Sequence, residues 1–153
     1  MAAALQQAGS EVTLVNRGTR RGEYAVELLG LPFVPLSEFR AEGFNLIVNA
    51  TPVGRDHDGF PFTIETLNNG TLVIDLAYGA EPTPLVSAVL ARGGAAIDGH
   101  DVLLTQVRKQ FQLMTGMEMP ASIGREAVLA GNVENFPSSD AAQPVQEAYE
   151  CSL

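Results

Sequence analysis

Apolar residues along this chain fall into short dense runs separated by segments with helical spacing. Five runs read as strands: EVTLV (11–15), PFVPL (32–36), NLIVNA (45–50), TLVIDLA (71–77) and GAAIDG (94–99). The first is β-branched and follows a turn at Gly9-Ser10. The second carries two prolines, which suit a sheet edge because proline cannot donate to an inner ladder. NLIVNA is nearly all apolar, as a strand buried on both faces should be. TLVIDLA follows Asn68-Asn69-Gly70, a strong turn signal.

Helices fill the intervals. MAAALQQA (1–8) is Ala-rich and stops at Gly9, and RGEYAVELLG (21–30) stops at Gly30. Both glycines suit the position just past a helix end. Thr83-Pro84 supplies an N-cap and a first-turn proline for a helix that runs to Arg92 and ends at Gly93. Over 101–115, Val102, Leu103, Gln106, Val107, Gln110, Phe111 and Met114 recur on one face. A last short helix is expected over 121–130, with Ser122 as its cap. From Gly131 the periodicity dissolves into Asn, Pro, Ser and acidic residues, the composition of a disordered acidic tail over 131–153.

Strands alternating with helices through short loops imply a parallel sheet, hence an α/β, Rossmann-like doubly wound fold. The chain opens inside a helix. The fold is therefore expected to lack its first strand and the Gly-rich loop that follows that strand. The expected division is an incomplete nucleotide-binding domain over 1–130 and the tail beyond it.

Composition narrows the function classes. The 153 residues carry 46% apolar and 18% charged side chains, ordinary for a globular domain with a core. No apolar run is long enough to span a bilayer, so a cytoplasmic protein with no membrane partner is expected. The single cysteine, Cys151, excludes an internal disulfide. The net charge of −9 disfavours nucleic acid as a partner. Four acids and no Lys or Arg lie in residues 131–153, so the body carries about −5.

Candidate chemistry gathers at the carboxyl ends of the strands, where open α/β sheets bind ligands. After EVTLV comes Asn16-Arg17-Gly18-Thr19-Arg20-Arg21. In a dinucleotide fold this position meets the adenine ribose. An acid there selects NAD, whereas arginines offer planar bidentate donors to the 2′-phosphate of NADP. A solvated basic loop fits the same charges. NATPVG (49–54) ends the next strand. There Asn49 and Thr51 are candidate ligand contacts, with a simple turn as the plain alternative. Tyr78, just past TLVIDLA, can present its phenol to a substrate or pack half-buried. Gly99 can let a ligand approach the backbone. Gln106 puts an amide on an apolar helix face, where burial would demand a partner. Asp56-His57-Asp58 invites a metal reading. Three adjacent residues cannot all face one ion, and the only other histidine is His100, so no metal site is expected.

These pieces occur in an order that resembles the C-terminal, NADP-binding half of the shikimate dehydrogenases. The carrying segments are Asn16-Arg17-Gly18 with Arg21, Asn49-Ala50-Thr51-Pro52-Val53-Gly54, Asp75-Leu76-Ala77-Tyr78 and Thr83-Pro84-Leu85. Asp98-Gly99 through Gln106, and Phe111-Gln112-Leu113-Met114-Thr115-Gly116, complete the set, so the likeness covers residues 1 to about 130. Three positions depart from the family pattern: Gly18 replaces a Thr, Asp101 a Gly, and Met114 a Trp.

The resemblance implies reversible, NADP-dependent reduction of 3-dehydroshikimate to shikimate, on the route to aromatic amino acids. It implies that Asn16, Arg17 and Arg21 hold the 2′-phosphate. Thr51, Leu76 and Gly99 would line the cofactor, and Tyr78 and Gln106 would touch shikimate. The family's catalytic Lys and Asp belong to an N-terminal substrate domain that these residues do not include. Lys109, the only lysine, sits in mid-helix beside Arg108, a surface position. The chain alone is thus expected to be inactive, with that N-terminal domain as a partner. Two other readings stay open: a non-catalytic nucleotide-binding remnant or interaction module, and a quinate or dual-specificity dehydrogenase.

Overall fold

The structure is a computed structural model and describes residues 1–55, 59–79 and 82–120. Each of the five apolar runs forms a strand, shorter than its run: β1 (Leu14–Asn16), β2 (Phe33–Pro35), β3 (Leu46–Asn49), β4 (Leu72–Asp75) and β5 (Ala95–Ile97). Among the described residues four helices lie between and after them: α1 (Ala2–Gln7), α2 (Thr19–Leu29), α3 (Pro84–Ala91) and α4 (Gly99–Thr115). A 3-10 turn spans Ile64–Thr66. The helix expected over 121–130 and the tail lie outside the described residues, as does the Asp56-His57-Asp58 segment.

The helix ends follow the local chemistry. The Thr83 hydroxyl accepts a hydrogen bond from the Val86 N–H, and Pro84 occupies the first turn of α3. After α1, the Gly9 N–H bonds the Gln6 carbonyl and the Ser10 N–H bonds the Leu5 carbonyl. That pair of bonds needs Gly9 in the left-handed region, at φ 88°. Two helices start earlier than their apolar pattern: α2 at Thr19 and α4 at Gly99.

All strand pairs are parallel, as the alternation demands, but they form two sheets. One has the order β1-β2 and the other β3-β4-β5. This is the doubly wound order 3-2-1-4-5-6 without its strand 1, which divides the remainder two and three. β1 and β3 are the strands that flank the division. Pro35 lies in β2, which among the described residues pairs with β1 alone, so the proline reading of an edge is met.

The expectation that NLIVNA is buried on both faces is corrected. Burial alternates in β3 and β4: Ile47, Asn49, Val73 and Asp75 are buried, while Leu46, Val48, Leu72 and Ile74 are only half-buried. On the covered face α3 packs against β4 and β5, and Ile64, Val73, Leu85 and Val89 form one cluster. Phe39, Ala41 and Ile47 form a second cluster, on which Val15 of β1 and Val34 of β2 also pack. Each large side chain so buried contributes about 1.5–3 kcal/mol. α1 buries none of its residues.

The packing of α2 on β1 and β2 turns on one glycine. A Cβ on Gly22 would lie 2.1 Å from Cε2 of the Phe33 ring. Gly22→Ala should therefore lower stability by about 1–2 kcal/mol, even though alanine favours a helix by about 1 kcal/mol over glycine. In a Phe33→Ala background the same change should be neutral or stabilising, which thermal unfolding of the four proteins would read.

Residues Met1–Gln106 make one compact unit, and the described residues from Val107 onward belong to a second. In the second, the Lys109 ammonium is exposed and donates to Gln112 Oε1 at 3.1 Å.

Candidate functional site

At the end of β1 the Asn16 side-chain amide donates to the Gly18 carbonyl at 2.9 Å. This tight turn delivers the chain into α2, with Gly18 at the N-cap and no side chain capping the helix. Arg17, Arg20 and Arg21 are all exposed. Arg20 and Arg21 occupy the first turn, where N–H groups lack intrahelical partners and the helix end is partly positive. Cations there are unfavourable by themselves. An anion supplied from outside would satisfy both the N–H groups and the guanidinium groups.

At the ends of β3 and β4 a buried network occupies the polar side chains. Asp75 is fully buried. Its Oδ1 accepts from the Asn49 amide at 2.8 Å and from the Ala77 N–H at 3.0 Å, and its Oδ2 accepts from the Thr83 hydroxyl at 2.6 Å. Asn49 Oδ1 in turn accepts from the Thr51 hydroxyl at 2.7 Å and the Thr51 N–H at 3.0 Å. The Asn49 amide also reaches the Val53 carbonyl at 3.3 Å. The idea of Asn49 as a ligand contact is therefore corrected: it is 4% exposed and both polar atoms are engaged within the protein. It positions Thr51, which is exposed at the strand end. The Leu76 N–H bonds the Asn49 carbonyl at 2.9 Å, so Asn49 holds Thr51 by its side chain and Leu76 by its backbone.

Gly99 is buried where β5 turns into α4. A Cβ there would lie 2.7 Å from Tyr78 Cδ1, 2.9 Å from the Leu76 carbonyl oxygen and 3.0 Å from that of Ala77. The protein's own packing thus requires the glycine. Tyr78 is exposed, and its ring lies 5.1 Å from the His100 ring at a tilt of 56°. His100 Nδ1 is 4.0 Å from Asp98 Oδ1. Leu76, Tyr78 and Gly99 are therefore brought together. Gln106 is exposed, which corrects the expectation of a buried amide. Up to that point α4 buries only Gly99 and Leu104, so the outward part of its apolar stripe meets solvent.

Sequence reasoning missed the part played by Asp75 and Thr83. An acid inside TLVID, in a run that should be buried, was the available signal, because a buried carboxyl group needs donors. Thr83 shows only its capping role in local sequence. Among the described residues no group of three His, Cys, Asp or Glu side chains is placed to hold a metal ion. Among them also, no helix is long and apolar enough to cross a membrane.

Several known proteins are similar to this chain. No family model matches. The shikimate dehydrogenase (NADP(+)) of Archaeoglobus fulgidus is 35% identical over an alignment of 139 positions that covers 84% of this chain and 51% of that protein. The structure of the Thermus thermophilus shikimate 5-dehydrogenase in complex with NADP(H) and shikimate matches with a TM-score of 0.67 at 33% identity. That match covers 84% of this chain and 49% of the other. Quinate dehydrogenase from Corynebacterium glutamicum, in complex with NAD, matches with a TM-score of 0.74 at 26% identity, covering 84% of this chain and 50% of that one. The shared architecture is the α/β, Rossmann-like one built above. Over most of its length the chain is similar to shikimate dehydrogenases, and it spans about a third to a half of the length of the curated relatives it matches.

Proposed function

We propose that residues 1–130 form the cofactor-binding part of an NADP-dependent shikimate dehydrogenase, an oxidoreductase that interconverts 3-dehydroshikimate and shikimate. The observation that carries the choice of NADP is the exposed Arg17, Arg20 and Arg21 around the uncapped start of α2. Arg17 and Arg21 would grip the 2′-phosphate, with Asn16 fixing the turn that presents them. Thr51 and Leu76, both held by Asn49, and Gly99 would line the dinucleotide. Tyr78 and Gln106, both exposed, would face the substrate.

When bound, the nicotinamide supplies the hydride in one direction and accepts it in the other. The alkoxide formed on reduction of the carbonyl needs a proton and a stabilising charge. Among the described residues none of the proposed site groups is a Lys or Asp in position to give them. The proton donor must come from elsewhere, as the family's substrate domain would provide. We therefore expect purified chain alone to show no shikimate-dependent reduction of NADP. Turnover above background would refute the division of labour proposed here.

The phosphate reading has its own test. In a protein restored to the length of its relatives, Arg17→Ala or Arg21→Ala should raise the KM for NADP about tenfold or more, roughly 1.4 kcal/mol per decade. The KM for shikimate should hardly move. An unchanged KM for NADP would remove these residues from the site. Similarity to a quinate dehydrogenase in complex with NAD gives the second reading, in which quinate is a substrate as well. The same protein assayed with quinate would decide, because Tyr78 and Gln106 suit either hydroxy acid.

A further inference from the structure

The turn that leads into β4 places two mutually reactive groups side by side. Asn68–Thr71 is a β-turn, closed by the Thr71 N–H on the Asn68 carbonyl at 3.1 Å, with Asn69 and Gly70 at its centre. Asn68, Asn69 and Gly70 are all exposed. Among the described residues neither the Asn69 side-chain amide nor the Gly70 N–H has a hydrogen-bond partner. The amide carbon of Asn69 is an electrophile, and the Gly70 nitrogen can close a five-membered ring on it. Such chemistry makes asparagine a thermolabile residue. A side chain on the following residue would crowd the closing ring, and glycine has none. Only Asn69 is followed by glycine. Asn49 is buried with both polar atoms engaged, and Asn16 donates its amide to the Gly18 carbonyl. Asn45 and Asn68 are exposed but precede Leu46 and Asn69.

We propose that Asn69 is a self-modification site, converted through a cyclic imide to aspartyl and isoaspartyl forms. The Gly70 nitrogen gives up its proton and bonds Asn69 Cγ, and the side-chain nitrogen leaves as ammonia. Water then opens the ring at either carbonyl. Breaking the new bond to Cγ gives the aspartyl form. Breaking the original peptide bond gives the isoaspartyl form, whose main chain runs through Cβ and Cγ. Water is the sole co-reactant, and nothing is oxidised or reduced. Both products add negative charge to a chain already at −9. The isoaspartyl form also lengthens the main chain of the turn by one atom. Just beyond it, buried Thr71 donates its hydroxyl to the Phe44 carbonyl at 2.6 Å, and the Leu72 N–H donates to the Asn45 carbonyl at 2.9 Å. These bonds fix the entry of β4 beside β3. The extra atom is therefore taken up inside the turn, at the expense of its closing bond to Asn68. The proposal does not depend on the nucleotide reading.

The whole chain, kept folded in warm neutral buffer, would be sampled over time and digested, and the peptide holding Asn68 and Asn69 weighed. Electron-transfer fragmentation tells the isoaspartyl form from the aspartyl one. Gly70→Ala is the comparison, because the φ of Gly70 lies outside the left-handed region and a Cβ there meets no atom within 4 Å. We expect Asn69 to convert about tenfold or more faster than Asn68, and faster by a similar factor than Asn69 in the Gly70→Ala chain, since only glycine leaves the ring-closing path open. Isoaspartate must be among the products, because direct attack of water on the side chain gives aspartate alone. Conversion no faster than at Asn68, an equal rate in Gly70→Ala, or aspartate without isoaspartate would each overturn the proposal. So would conversion confined to chain unfolded in urea, since the fold would then shield the turn.

Discussion

Asp75→Ala is expected to lower the free energy of unfolding by about 4 kcal/mol, because three buried donors would lose one common acceptor. The Asn49 amide, the Ala77 N–H and the Thr83 hydroxyl all point at this carboxyl group, over 2.6–3.0 Å. Each unsatisfied buried donor costs about 1–3 kcal/mol, and local relaxation recovers part of the sum. Asp75→Asn should cost less, about 1–2 kcal/mol. The new amide group can turn its NH2 toward Thr83 and leave its oxygen for Asn49 and Ala77. The Thr83 oxygen can accept from that NH2 while still accepting from Val86. The ordering Ala well below Asn separates a hydrogen-bond hub from a site that merely needs volume. The chain has no tryptophan, so urea unfolding would be followed by far-UV circular dichroism. With a slope of about 1–3 kcal/mol per molar urea, the midpoint should fall by roughly 2 M for Asp75→Ala. A drop below about 0.5 M would remove the network from the account of stability. Domains hold only about 5–15 kcal/mol in total, so this change takes a large share.

Gly99→Ala is the second large effect, at about 3 kcal/mol. Two of the three atoms that its Cβ would meet are backbone carbonyl oxygens, at 2.9 and 3.0 Å, and cannot rotate away. The third, Tyr78 Cδ1 at 2.7 Å, belongs to an exposed side chain that can. Adding Tyr78→Ala should therefore recover only part of the loss, a non-additivity expected for groups in contact. Gly70→Ala is the matched control, because nothing lies within 4 Å of its Cβ position. It should stay within about 0.5 kcal/mol of the parent. Equal losses at Gly70 and Gly99 would show that chain flexibility, and not crowding, sets the cost. The result also bears on function, since Gly99 is proposed to line the cofactor. A folded Gly99→Ala protein with weakened NADP binding would fit a backbone approach by the ligand as well.

The elements were legible because their signals are local. Thr83-Pro84, Gly9, Gly30 and the apolar runs each fix one stretch of chain without reference to the rest. Strand ends were harder: of EVTLV only Leu14 and Val15 enter a strand, which runs on to Asn16, since pairing with Phe33–Pro35 decides which residues enter a ladder. The place of the arginines at a strand end was readable for the same local reason. The hub at Asp75 was not, because its partners lie 26 and 8 residues away along the chain and meet only in the fold. Gln106 failed for the opposite reason. Helical spacing names a face, but only tertiary contact says whether that face is covered. The division into two sheets followed from a strand absent from the alternation, which sequence order does display.

The tilted pair of Tyr78 and His100 rings gives this protein a built-in signal. A phenol ring 5.1 Å from an imidazole ring displaces the magnetic resonance of the imidazole carbon-bound protons through its ring current. Only two histidines are present, so those protons stand in an uncrowded part of the proton spectrum. Any molecule that swings the exposed Tyr78 aside would move the His100 pair of lines. Occupation of this end of the sheet can therefore be watched without a label, an assay of turnover or a substituted residue.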